Sequence, residues 1–141
     1  MAGAAQVDLV VYSDADYSQA FRYQTGYDDI AQKAIYYDFT GCTMQMMVRT
    51  SADDTQVYLD INSTTLGFVA DQTGIDIYDP GDSNALPEPA MIEFSLNIGH
   101  SDLQQFLPEA AYVQSLIVTS PNGVKWDLWR GNLTSYEGPT R

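Results

Sequence analysis

The sequence predicts an all-β protein: a single antiparallel β-sandwich of immunoglobulin-like type, with one short helix near 101–107. Three observations carry this. Apolar residues recur at every second position in segment after segment, which places one face on a core and the other in solvent. Clusters of Ser, Asp, Asn, Pro and Gly separate these segments at short intervals. Only one stretch carries a clear helical start and stop. About seven or eight short strands joined by turns is the pattern of a sandwich.

In chain order, Val7, Leu9 and Val11 alternate with Asp8, Val10 and Tyr12. After Ser-Asp-Ala-Asp at 13–16, Tyr17, Gln19, Phe21 and Tyr23 alternate up to Gly26. "DDIAQKAI", from Asp28, fits a short helix or a loop. Met44, Met46 and Val48 form the next apolar phase, then Val57, Leu59 and Ile61. The segment from Thr64 to Pro89 is rich in Gly, Asp and Pro around one strand, Ile75 to Tyr78, and predicts long surface loops. "AMIEFSLNIG" puts Ile92, Phe94, Leu96 and Ile98 on one face. In "SDLQQFLP", Ser101 is an N-cap, Asp102 lies in the first turn, and Leu103, Phe106 and Leu107 share a side before Pro108. Ser-Pro-Asn-Gly at 120–123 then closes a hairpin. Strict alternation sends Tyr112, Leu116 and Val118 to the core, with Val124, Trp126 and Leu128 opposite them. Trp129 then points to the other face.

The 141 residues make one domain, 1–141, with a short N-terminal arm at 1–6 and a C-terminal tail at 135–141. Six basic residues against nineteen acidic ones give a formal charge of −13. That balance excludes nucleic acid and anionic membrane surfaces as expected partners, because both are held through positive charge. Cys42 is the sole cysteine, so no intrachain disulfide is possible, which fits folding in a reducing cytoplasm. No basic leader or apolar span is evident at the N-terminus.

The residue types that carry chemistry are few. His100 is the sole histidine and sits between a strand end and a helix start, where a structural role is the expectation. Cys42 needs a base to act as a nucleophile, and nothing in the spacing pairs it with His100. No cofactor and no metal are expected. The nearest approach to a cation site is Asp76, Asp79 and Asp82, whose spacing is not that of an EF-hand and whose Asp-Pro-Gly-Asp core is an ordinary turn. Asp53-Asp54 reads the same way. The ten tyrosines are the informative excess. Tyr12, Tyr58 and Tyr78 fall on the polar phase of their strands, and one of the adjacent pair Tyr36 and Tyr37 must face outward. With Trp129 they are the interface candidates, since exposed aromatics are enriched where proteins meet.

Several stretches occur in a telling order: "VDLVVYSDADYSQAFRY", then "YYDFTGCTMQMMVRT", "QVYLDIN", and "MIEFSLNIGHSDLQQFLPEAAYVQSLIVTSPNGVKWDLWRGNLT". This layout resembles a family of tailed-phage β-sandwich proteins, the collar proteins and connectors that attach long tail fibres. The resemblance runs from about Val7 to Thr134 and differs from the usual pattern at Phe39, Cys42 and Gln114-Ser115. It implies a non-enzymatic virion protein of the tail, collar or baseplate region, made in the host bacterial cytoplasm. It implies a homo-oligomer, a ring or fixed set of copies, with a tail fibre and other tail proteins as partners. The alternatives are a head decoration or head-fibre protein, and a calcium-dependent carbohydrate- or receptor-binding module.

Overall fold

The computed structural model describes residues 5–51, 53–63, 69–81, 84–86 and 90–137. Among these residues, twelve strands and one helix follow in order: β1 (Ala5–Gln6), β2 (Leu9–Tyr12), β3 (Tyr17–Arg22), β4 (Gln24–Asp28), β5 (Lys33–Tyr36), β6 (Thr43–Arg49) and β7 (Leu59–Asn62). Then come β8 (Gly74–Tyr78), β9 (Ala85–Leu86), β10 (Glu93–Ile98), α1 (His100–Phe106), β11 (Ala110–Thr119) and β12 (Lys125–Tyr136).

The large sheet runs β1-β12-β11-β6-β7, with β2 also paired to β12. A second sheet, β3-β10-β8, lies against it. Their inner faces share one apolar core: Met44, Met46, Val48, Leu116, Val118 and Leu133 from the first meet Ile75, Phe94, Leu96 and Ile98 from the second. The fold is therefore the predicted β-sandwich. Most pairings are antiparallel, but β1 and β2 both run parallel to β12, and β5 runs parallel to β9. A third small sheet, β4-β5-β9, has its own apolar cluster of Ala85, Ala90 and Ile92 with Tyr36. The segment from Asp28 thus belongs to the β4–β5 hairpin and is not a helix. Asp28 Oδ1 accepts the N–H groups of Ile30 and Ala31, which holds its tip in a turn.

The two tryptophans depart from strict alternation. Leu116 pairs with Trp129 and Ile117 with Asp127, so Leu128 is an extra residue on β12. Such a bulge shifts the phase of everything beyond it. Trp129 therefore turns inward and is only 3% exposed, where the period alone would have sent it outward. Its ring lies edge-on to Phe21 at 4.7 Å and 5.7 Å from Phe94. Its Nε1–H donates to Gln114 Oε1 at 2.7 Å, and Gln114 Nε2 donates to the Val7 carbonyl at 2.8 Å. Trp126 closes one end of the core against Tyr37 and Tyr23, half-buried, while Val124 lies before β12 and is exposed.

The Val7 carbonyl is pressed onto Gly131, where any Cβ would overlap it. That close approach seats the first strands on the last. The described parts of the expected arm and tail are accordingly paired: Ala5 and Gln6 form β1, and Ser135 and Tyr136 pair with Val11 and Tyr12, while 1–4 and 138–141 lie outside the described residues.

The helix begins one residue earlier than predicted, with Gly99 at its N-cap position. Leu103 and Leu107 are buried, but Phe106 is partly exposed, because so short a helix turns only a narrow face to the core.

Candidate functional site

Among the described residues, one group of three potential ligand side chains lies close together: Asp16, Asp71 and His100, with atoms within 4.8 Å of one another. Three separate segments supply them. Asp16 ends the turn between β2 and β3, Asp71 lies in the loop before β8, and His100 opens α1. Asp71 adopts φ 57°, a left-handed conformation that Asp tolerates better than most residues. Gly99 makes the approach possible, since a Cβ there would sit 2.6 Å from the Asp71 carbonyl carbon.

The bonding explains why the three converge. Asp16 Oδ1 accepts the His100 backbone N–H at 2.8 Å and the ring Nδ1–H at 2.6 Å. Asp16 Oδ2 accepts the Asp71 N–H at 3.0 Å. Asp71 Oδ1 accepts the Ser101 N–H at 2.8 Å, and Ser101 Oγ donates to Asp71 Oδ2 at 2.6 Å. Two of the orphan N–H groups of α1, those of His100 and Ser101, are thus satisfied by two carboxylates from distant segments, not by the predicted Ser101 cap. Nearby, Asp102 accepts from Thr73 Oγ1 at 2.5 Å, and Thr73 Oγ1 accepts the Gly99 N–H at 3.0 Å.

The electrostatics follow from these bonds. The Asp16 hydrogen bond raises the His100 pKa above its usual value. Bonding to His100 lowers the Asp16 carboxyl, and bonding to Ser101 lowers that of Asp71. Each partner thus favours the charged form of the other: the carboxylates favour the imidazolium, and the imidazolium favours the carboxylates. The ring is engaged through Nδ1, and together with the backbone bonds this ties a turn and a loop to the helix end.

Cys42 lies at the entrance to β6, packed against the core. Burial, and then the Asp38 charge, push its thiol pKa up, opposite to what a nucleophile needs. The turn before it is structural: Asp38 Oδ1 accepts the Thr40 N–H and hydroxyl, Phe39 is fully buried, and Gly41 has φ 77°.

Asp76 and Asp79 do not converge as ligands. Asp76 faces a shallow pocket on the second sheet beside Ser18, Tyr78 and Ser95, and burial raises its carboxyl pKa. Asp79 Oδ1 accepts the Gly81 N–H as a turn carboxylate. Asp82 lies outside the described residues. Asp54 likewise serves its own loop, accepting from Thr50 Oγ1 and the Gln56 N–H.

The aromatic candidates divide. Tyr12 is 51% exposed and stacks on Tyr136 at 5.7 Å, at the edge of the large sheet. Tyr36 lies under the Arg22 guanidinium at 5.2 Å, and Tyr37 packs on Phe39 and Trp126. Tyr58 leans on Tyr112. Tyr78 donates to Glu93, and burial first, then that bond, push its pKa up to about 12. Trp129 belongs to the core. Among the exposed apolar positions the period did not single out are Tyr136 on the last strand and Ile30 at a hairpin tip. Against known proteins, this chain matches no family model and no curated protein.

Proposed function

We propose that this protein is a non-enzymatic structural component of a tailed-phage virion. It acts in the tail, collar or baseplate region, where a set of copies forms a platform that attaches tail fibres or links neighbouring tail proteins. The observation that carries the assembly reading is the β2 edge of the large sheet. Val10 and Tyr12 project from the same side of β2, both exposed, and Tyr12 stacks on the exposed Tyr136. Edge strands offer N–H and C=O groups to a neighbour, and exposed aromatics supply contact area at low entropy cost. The chemistry of the single cysteine points the same way: burial raises the Cys42 thiol pKa, against the needs of a nucleophile. The phage setting rests on the resemblance of the stretches between about Val7 and Thr134.

The test is made on purified particles of a phage encoding this chain. The protein is expected in a fixed copy number per particle. Val10→Lys with Tyr12→Lys, both at exposed positions, is expected to leave the fold intact and cut incorporation by about tenfold or more. Particles that assemble fully without the protein, or take up the double variant normally, would overturn the reading.

A further inference from the structure

The outer face of the large sheet carries a groove of about 580 Å³ across β6, β11 and β12. Its rows follow from the strand register. Arg49, Val113 and Asn132 lie abreast, then Met47, Ser115 and Arg130, then Gln45, Ile117 and Asp127. Ser115, small and central, leaves the hollow, and Met47, Val113 and Ile117 give it an apolar floor. Two of the six basic residues of a chain with charge −13 stand at opposite sides. Strand spacing and rise put their Cα atoms about 12 Å apart.

The two arginines differ. Arg130 is paired with Asp127. Among the described residues, Arg49 donates at 3.4 Å to the Asp54 carbonyl and at 3.4 Å to the Met47 sulfur, and its buried Nε has no hydrogen-bond partner there. The two terminal nitrogens, held by these long bonds, keep donors for a carboxylate, while the buried Nε lies beyond a docked partner's reach.

Elsewhere on the same chain stands the complementary shape. At the tip of the β4–β5 hairpin Ile30 is 99% exposed, beside the exposed Asp29. The Asp28 carboxylate bonds to Ile30 and Ala31 N–H fix the tip in one conformation, so docking it costs little ordering. A fully exposed isoleucine contributes nothing to the fold of its own chain.

We propose that the β4–β5 hairpin tip of one copy docks in the outer groove of the next, with Asp29 on Arg49 and Ile30 over Val113 and Ile117. The contact joins two different patches, so it is heterologous and builds a ring or an open chain of copies. It rests on the assembly reading above and supplies one of its joints. It also answers how copies of such negative charge meet: an acidic tip enters a hollow flanked by arginines.

The test uses the full chain in sedimentation velocity near physiological ionic strength. Self-association is expected, and Ile30→Asp, Asp29→Arg and Arg49→Glu should each weaken it about tenfold or more. Thermal midpoints report folding, and the two tip positions are exposed enough to leave them unchanged. Mixing Asp29→Arg with Arg49→Glu should restore association, because the intact tip of one variant meets the intact groove of the other. Restoration excludes a loss caused by misfolding. Self-association indifferent to all three substitutions would overturn this contact and leave the assembly reading standing. A wild-type chain that stays monomeric would also overturn it, while incorporation into particles would still decide the broader reading. If only Arg49→Glu lowers incorporation, and tip variants do not, the groove belongs to a different acidic protein and the self-contact is wrong.

Discussion

Trp129→Phe isolates the most specific claim about the core, that an indole N–H and a buried amide depend on each other. The phenyl ring keeps most of the packing on Phe21 and Phe94 but removes the donor to Gln114 Oε1. That oxygen is then buried without a partner, which costs about 1–3 kcal/mol, and the smaller ring adds about 1 kcal/mol of lost packing. Trp129→Phe is thus expected to cost roughly 2–4 kcal/mol. Gln114→Met keeps the volume and removes both amide bonds, orphaning the indole N–H and the Val7 carbonyl. In the double variant the indole donor and its acceptor disappear together. Its loss should fall short of the sum of the singles by about 1–2 kcal/mol, within the range for directly bonded residues. Urea unfolding followed by far-ultraviolet circular dichroism measures all four proteins without relying on tryptophan emission. Losses that add to within about 0.5 kcal/mol would refute the coupling, and with it the inward placement of Trp129.

Gly131→Ala should destabilise by about 3 kcal/mol or more, since its methyl overlaps the Val7 backbone carbonyl and cannot be relieved by a rotamer change; chemical denaturation measures it. The His100 cluster sets a pH window. His100 is raised above 6.5 in the fold, so its contribution is full below 6.5 and is lost as pH rises through the folded value. Asp16 and Asp71 are lowered below 3.8, so theirs is present above 3.8 and is lost as pH falls through the folded values. Thermal midpoints should therefore decline on both sides of this window, and His100→Gln should flatten the alkaline side and weaken the acid side, since the His100 ring bond is the largest cause that lowers Asp16. Cys42 should react with a thiol reagent near neutral pH about tenfold or more slowly than in the unfolded chain, because burial and Asp38 disfavour the thiolate; a colorimetric time course decides it.

The sandwich was legible because its strands keep one face dry over several residues. Ile92, Phe94, Leu96 and Ile98 are all buried, as their alternation requires, and so are Met44, Met46 and Val48. The inward turn of Trp129 was not legible, since a bulge adds a residue without any local signature of its own. One sign was present: Gln114 sits on the buried phase of Tyr112, Leu116 and Val118, and a polar side chain there demands a partner. The Asp16, Asp71 and His100 cluster was invisible because its members come together only through the packing of a turn, a loop and a helix end. The β4–β5 hairpin was obscured by a helix-like run whose apolar Ile30 packs on nothing in its own chain. The edge aromatics were half legible: Tyr12 was found from its phase, while Tyr36, Tyr37, Tyr58 and Tyr78 are taken up by internal contacts.

The central claim is that this protein works by joining copies of itself within a particle. A three-dimensional reconstruction of purified virions of a phage encoding it tests that most directly. The account predicts a fixed set of adjoining copies on the tail, each presenting its β2 edge, with Val10, Tyr12 and Tyr136, to a neighbouring copy or tail protein. Density for isolated copies with that edge bare to solvent, or particles containing no copies, would contradict it.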